Sequence, residues 1–139
     1  DPALMPTAAD IAWTRDAFRD LLRIRASSKL LRLPTAAEIG RRLRFLDTGP
    51  AQNPRVVAAR LDGRGLAGAG FAELIYFINV APEPQTLVLP SEAGKDLQLH
   101  PVHKAAGAAD QRVATGASFD SATGRFTLPG RSAVVFVLP

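Results

Sequence analysis

The chain has 139 residues, a length that suits one domain, and 47% of them are hydrophobic, enough for a packed core without covalent staples. The basic excess is confined to one half: residues 1–70 hold 12 Lys/Arg against 7 Asp/Glu, and residues 71–139 hold 5 against 6. With no recognition motif among the scattered cations this argues against nucleic acid, the lack of cysteine excludes disulfides, thiolate zinc and a cysteine nucleophile, and no apolar run reaches the ~18–20 residues of a membrane helix. Residue 1 is Asp, as expected for a piece or processed product of a longer chain.

Residues 7–26 read as one amphipathic helix, with Thr7 as cap and Asp10 closing a capping box. Ile11, Trp13, Ala17, Phe18, Leu21, Leu22 and Ile24 fall on one half of its wheel. Arg15, Asp16, Arg19, Asp20 and Arg23 fall on the other, expected to be solvated. So broad an apolar half must bury itself on something large. Thr35 and Glu38 suggest a second capping box, and Gly40 a left-handed stop to a short helical turn.

From Arg41 the pattern changes to strands. Leu43 and Phe45 alternate with Arg42 and Arg44. Stretches 73–81 and 133–138 are nearly continuous apolar runs, expected as central strands. Stretches 55–61, 85–89, 96–102, 117–119 and 125–128 are further candidates, separated by turns rich in Gly, Pro and Asp. About eight short strands spaced this way predict a mainly β fold: an antiparallel β-sandwich preceded by one amphipathic N-terminal α-helix. The loops Gly63–Gly70 and Ala105–Ala109 read as flexible connections.

Chemistry-bearing motifs are sparse. The Gly63–Arg64–Gly65 stretch is followed by a strand where a phosphate loop needs a helix. His100 and His103, three apart on an expected strand, point to opposite faces, so no metal site is expected. Most of the acids sit at caps, turns and the wet helix face, none lies in a motif for two-carboxylate glycoside hydrolysis, and Ser132 has no His or Asp arrangement beside it. No catalytic residue and no cofactor are expected. Phe45, Phe77, Phe126 and Phe136 are expected in the core. That leaves Phe71, Tyr76 and Phe119 as candidate platforms for sugar stacking.

The order of the segments carries a resemblance. Leu22–Leu33 (LRIRASSKLLRL) resembles the end of the last barrel helix and exit segment of pullulanase-type α-1,6-glucosidases. The stretch TAAEIGRRLRFLDTGPAQN is similar to their short capped turn and R-x-x-F-L-[DN]-T-G-P motif, filled here by Arg42, Phe45, Leu46, Asp47, Thr48, Gly49 and Pro50. Asn79 to Glu83 resembles the Asn-Ala-x-Pro-Glu turn, and LQLHPV, ASFD and FTLPGRSAVVFV follow in order, so the match runs from about Ile11 to the end. Lys29 departs from a frequent Pro, and Gly63–Gly70 lacks a usual Asp/Tyr-containing segment.

The resemblance implies a division of the chain. Residues 1–33 would be the last barrel-type helix and exit segment, and residues 34–139 a C-terminal β-sandwich. The catalytic acids would lie upstream. The parent reaction implied is hydrolysis of α-1,6-glucosidic branch points. The implied partner is the catalytic (β/α)8 barrel of the same chain, with α-glucan as a second partner through an alternative carbohydrate-binding role. In isolation the helix is expected to dock on the sandwich or to pair with a second copy. Neither a nucleic-acid nor a membrane partner is expected.

Overall fold

The computed structural model describes residues 4–139. The first helix, α1, spans Ala8–Ser27. Thr7 Oγ1 accepts the Asp10 N–H (3.2 Å) and Asp10 Oδ2 accepts the Thr7 N–H (2.8 Å), so the capping box is complete. Ser28 ends α1 and caps a 3-10 turn over Lys29–Arg32. The next helix, α2 (Ala36–Arg42), is capped by Thr35 as expected, but Gly40 does not end it. Glu38 pairs with Arg41 and Arg42, while Arg42 donates to the carbonyls of Asp62 (2.9 Å) and Arg64 (3.0 Å). Those bonds hold the helix past the glycine.

Eight strands follow: β1 (Leu43–Leu46), β2 (Val56–Asp62), β3 (Glu73–Asn79), β4 (Gln85–Val88), β5 (Gln98–Leu99), β6 (Ser118–Asp120), β7 (Arg125–Leu128) and β8 (Ser132–Leu138). They form a five-stranded sheet in the order β1-β2-β3-β8-β5 and a three-stranded sheet in the order β4-β7-β6. Every ladder is antiparallel. As expected, the two apolar runs are neighbours in the middle of the larger sheet.

The main core lies between the sheets. Phe77, Phe126 and Phe136 are buried in it with Ile75, Leu128 and Val134. Phe77 and Phe126 have ring centroids 4.7 Å apart, and Phe126 and Phe136 5.3 Å, within the range where tilted aromatic pairs add to simple burial. A second core covers the other face of the five-stranded sheet. There Ile24 of α1 and Leu30 pack with Leu61, Leu74, Val135, Val137 and Ala69.

The structure corrects several expectations. Phe45 is not core: it lies on edge strand β1 and is 58% exposed, because α1 and its following turn do not reach across the sheet that far. The expected strand over 96–102 shrinks to two residues, because Pro101 starts a short helix, α3 (Pro101–Lys104), with His100 as its cap. A second short helix, α4 (Gln111–Gly116), is capped by Asp110 in a stretch with no apolar period to announce it. Both loops expected to be flexible are tied down. The Gly68 carbonyl accepts the Lys29 N–H (3.1 Å), the Ala69 carbonyl accepts the Ser28 hydroxyl, and the Ala109 N–H is held by Asp20 (2.8 Å).

The segments that carry the resemblance mostly hold turns. Buried Asn79 donates to the carbonyls of Glu83 (3.1 Å) and Pro129 (2.9 Å) and accepts the Ala81 N–H (3.0 Å). Asp47, at a φ of 51°, accepts the Asn53 N–H (2.8 Å). Gly130 lies so close to the Pro82 carbonyl that a Cβ there would overlap it.

Candidate functional site

Helix α1 has two unlike faces. Its inner face meets the sandwich through Ile24, which is 2% exposed, and through polar contacts. Asp20 accepts the Ala109 N–H and pairs with Arg23 (2.9 Å). The indole Nε1 of Trp13 donates to the Ala109 carbonyl (3.1 Å). At the C-terminal end of α1, the Ser27 hydroxyl donates to the Ile24 carbonyl (2.7 Å) and lies 3.0 Å from His100 Nε2.

The histidines are structural acceptors. His100 Nδ1 accepts the Val102 N–H (3.2 Å), which leaves the proton of the neutral ring on Nε2, directed at Ser27. His103 Nε2 accepts the Val135 N–H (3.2 Å). Burial first, then the neighbouring His103, pushes His100 down to about 4. Burial also lowers His103, against the opposing pull of Asp110 and Asp20. The rings do not diverge as expected. A cap and the first turn of a helix bring them to a 6.4 Å centroid separation, nearly perpendicular.

The outer face of α1 is apolar and uncovered. Ile11 and Phe18 are each 59% exposed, Leu22 46%, and Leu21 beside them is also exposed. Spaced i, i+7, i+11, the first three form one stripe along the helix. A second uncovered apolar area lies on the sheet face that carries α1. Phe45 is in register with Ala59, Ala59 with Tyr76, and Val57 with Ile78. Phe45, Val57 and Ile78 are all exposed there.

The platform candidates do not converge. Phe71 and Tyr76 are half-buried against the second core, Phe71 edge-on to His100 at 5.4 Å. Phe119 is half-buried against the main core, 4.6 Å from Phe126.

Two carboxylates do meet. Glu73 and the fully buried Glu92 share Lys95, at 2.7 Å and 2.5 Å, and Arg60 bridges to Glu92 at 3.1 Å. Burial opposes ionisation of Glu92, but Lys95, Ser91 and Arg60 outweigh it and hold the group below its ordinary range. An acid held ionised by two cations is poorly suited to donate a proton to a leaving sugar. Much of the basic excess is consumed the same way, Arg41 and Arg42 by Glu38 and Arg60 and Lys95 by this cluster. Among the described residues no group of three His, Cys, Asp or Glu is placed to hold a metal ion.

Sequence reasoning missed Asp20 and gave Trp13 no role apart from the apolar half. Asp20 sits at the edge of the charged half of the wheel, beside Ile24, and nothing in the sequence marks the Ala109 N–H as its partner.

These features define a class: a two-sheet β domain fastened to a long helix that keeps an apolar face unpaired. The whole chain, residues 1–139, matches the family model described as alpha-1,6-glucosidases, pullulanase-type, C-terminal, and the chain belongs to that family. It is 40% identical over 144 residues to the chloroplastic pullulanase 1 of Arabidopsis thaliana, covering 99% of this chain and 15% of that protein. It is 31% identical to the pullulanase of Klebsiella pneumoniae, covering 96% of this chain and 12% of the other. The crystal structure of apo pullulanase from Klebsiella pneumoniae superimposes with a TM-score of 0.81 over 96% of this chain and 14% of its own. A pullulanase from Paenibacillus barengoltzii, crystallised with maltotriose, shares the fold with a TM-score of 0.61 at 24% identity. The chain thus spans about one seventh of these relatives.

Proposed function

We propose that this chain is the non-catalytic C-terminal part of a pullulanase-like debranching glycoside hydrolase and that it stabilises the catalytic barrel. In this reading residues 1–33 supply the last barrel helix and exit segment, and residues 34–139 supply the sandwich that packs beside the barrel. The observation that carries the proposal is the stripe of Ile11, Phe18 and Leu22, turned outward while the opposite face of α1 is fastened down. Covering such side chains contributes about 1.5–3 kcal/mol for each one fully buried. An exposed row of this kind marks an interface. The parent's substrate would be α-1,6-linked glucan, as the names of the relatives suggest.

Two measurements test this. Pure chain incubated with pullulan should release no reducing sugar, and real turnover would sink the non-catalytic assignment. In the Klebsiella pneumoniae enzyme, this chain should replace the matching C-terminal region and keep the enzyme folded and active. The same graft carrying Phe18→Asp and Leu22→Asp should melt earlier and lose activity. Equal melting of the two grafts would remove the stripe from the interface. Light scattering of the isolated chain reports whether a second copy covers the stripe, as a dimer abolished by Phe18→Asp.

A further inference from the structure

The opposite side of α1 carries a different surface. Trp13 stands about 200° round the helix from Ile11, so an occupant of the stripe leaves it open. It lines a cleft of about 620 Å3 with Ala109, Asp110, Gln111, Arg112 and Arg131. That volume lies within the roughly 300–1,000 Å3 of small-molecule sites. Four of the six lining residues are polar, with their planar groups ranged around a flat ring.

The parts are held in place. The bond from Trp13 Nε1 to Ala109 fixes the ring, yet 46% of the residue stays exposed. The Arg112 guanidinium lies 5.7 Å from the ring centroid. It is itself clamped by both oxygens of Asp110, at 2.8 and 2.7 Å. Gln111 donates its amide to Ala108 (2.6 Å), which leaves its carbonyl oxygen free to accept. The Arg131 guanidinium donates no hydrogen bond among the described residues, although its backbone is held at a φ of 47° by the bond from its N–H to Ala81 (2.8 Å). That conformation costs a non-glycine residue about 1 kcal/mol or more. A free five-donor fork, a free amide oxygen and a rigid indole match the hydroxyls and apolar face of a pyranose ring.

We propose that the Trp13 cleft is a glucan-binding subsite that takes a short run of α-linked glucose units. The choice of α-linked glucose rests on the debranching reading above, whereas the cleft itself uses the other side of α1 and does not depend on the barrel contact. The cleft offers a sugar a place to stack other than Phe71 and Tyr76, which pack on the second core, and Phe119, which packs on the main core.

Trp13 is the only tryptophan, so its fluorescence reports on this cleft directly. Maltotriose and maltoheptaose titrated into the 139-residue chain should shift the emission, saturating on the order of millimolar. Arg131 and Gln111 are exposed, and Arg131→Ala and Gln111→Ala should each weaken binding about tenfold while the circular dichroism stays unchanged. Calorimetry on Trp13→Ala should show no heat of binding. No emission change at tens of millimolar, or unaltered affinity in both polar variants, would overturn the proposal. Equal affinity for cellotriose would overturn its assignment to α-linked glucan. None of these outcomes bears on the pullulan assay or the graft, so the two proposals fail separately.

Discussion

Acidification should weaken the fastening of α1 before it titrates the carboxylates. Four residues from three parts of the chain face His100: Ser27 of α1, Phe71 of the β2–β3 loop, and Val102 and His103 of α3. The ring is needed as an acceptor at Nδ1, and a proton there would replace the Val102 bond with a repulsion. Its folded-state value is pushed down to about 4 from 6.5. The unfolded chain therefore binds this proton first. The stability it provides is complete above about pH 6.5 and drains away as pH falls toward 4. Between pH 7 and pH 5 the separation corresponds to a loss of about 2 kcal/mol. Glu38, held at about 2 by Arg41 and Arg42, contributes only in the window from 4.5 down to 2, below the interval from pH 7 to pH 5. Urea unfolding from pH 7 to pH 5, read by circular dichroism, checks this. His100→Asn keeps a cap acceptor without a titrating ring. It should remove about 2 kcal/mol of the pH difference, with the residual slope belonging to His103. Equal losses in the two proteins would refute the argument.

The two faces of α1 should answer differently to truncation. In the isolated chain Ile24→Ala should cost about 2–5 kcal/mol and Leu22→Ala less than about 0.5, by urea midpoint; similar losses would contradict the assigned orientation. Phe126→Ala, at the centre of the ring cluster, should cost about 3–5 kcal/mol and expose the core to a hydrophobic dye. Lys95→Met removes the cation shared by Glu73 and Glu92 but leaves Arg60 beside both, and should cost about 1–3 kcal/mol, whereas Arg41→Ala, at an exposed pair, should change thermal stability by less than about 1 kcal/mol. Gly130→Ala should lower the melting temperature by forcing the chain away from Pro82, and an unchanged melting temperature would mean that the turn can move.

The strands were legible wherever side chains alternate or run apolar, because those patterns record burial on one or two faces. So β2, β3, β7 and β8 appear close to where the sequence places them. The short helices α3 and α4 were not, because elements of four and six residues are made by caps and a proline, not by a period. Phe45 misled for a related reason. Alternation shows that a residue lies on one face of a sheet, not that anything covers that face. The candidate surfaces were legible only in part. The wheel separates apolar from charged residues, but it does not reveal that half of the apolar arc, with Asp20 at its edge, turns toward the sandwich.

The polar contacts of α1 explain how the stripe keeps its direction. Apolar packing is non-directional, and a helix held by Ile24 alone could roll to bury Phe18 and Leu22 against the exposed sheet residues Val57 and Ile78. Rolling would break the Asp20 and Trp13 bonds to Ala109 and the Ser27 contact with His100, and the buried Asp20 and His100 would each lose a partner at a cost of about 1–3 kcal/mol. That penalty is comparable to what the exposed side chains would gain by burial. The fastening therefore fixes the rotation of the helix against a competing hydrophobic pull. A chain with Asp20→Ala and Ser27→Ala should shift Phe18 toward burial, seen as lower dye binding and altered Phe18 contacts in NMR spectra. If the stripe stays equally exposed, its orientation comes from the apolar core and not from the polar bonds.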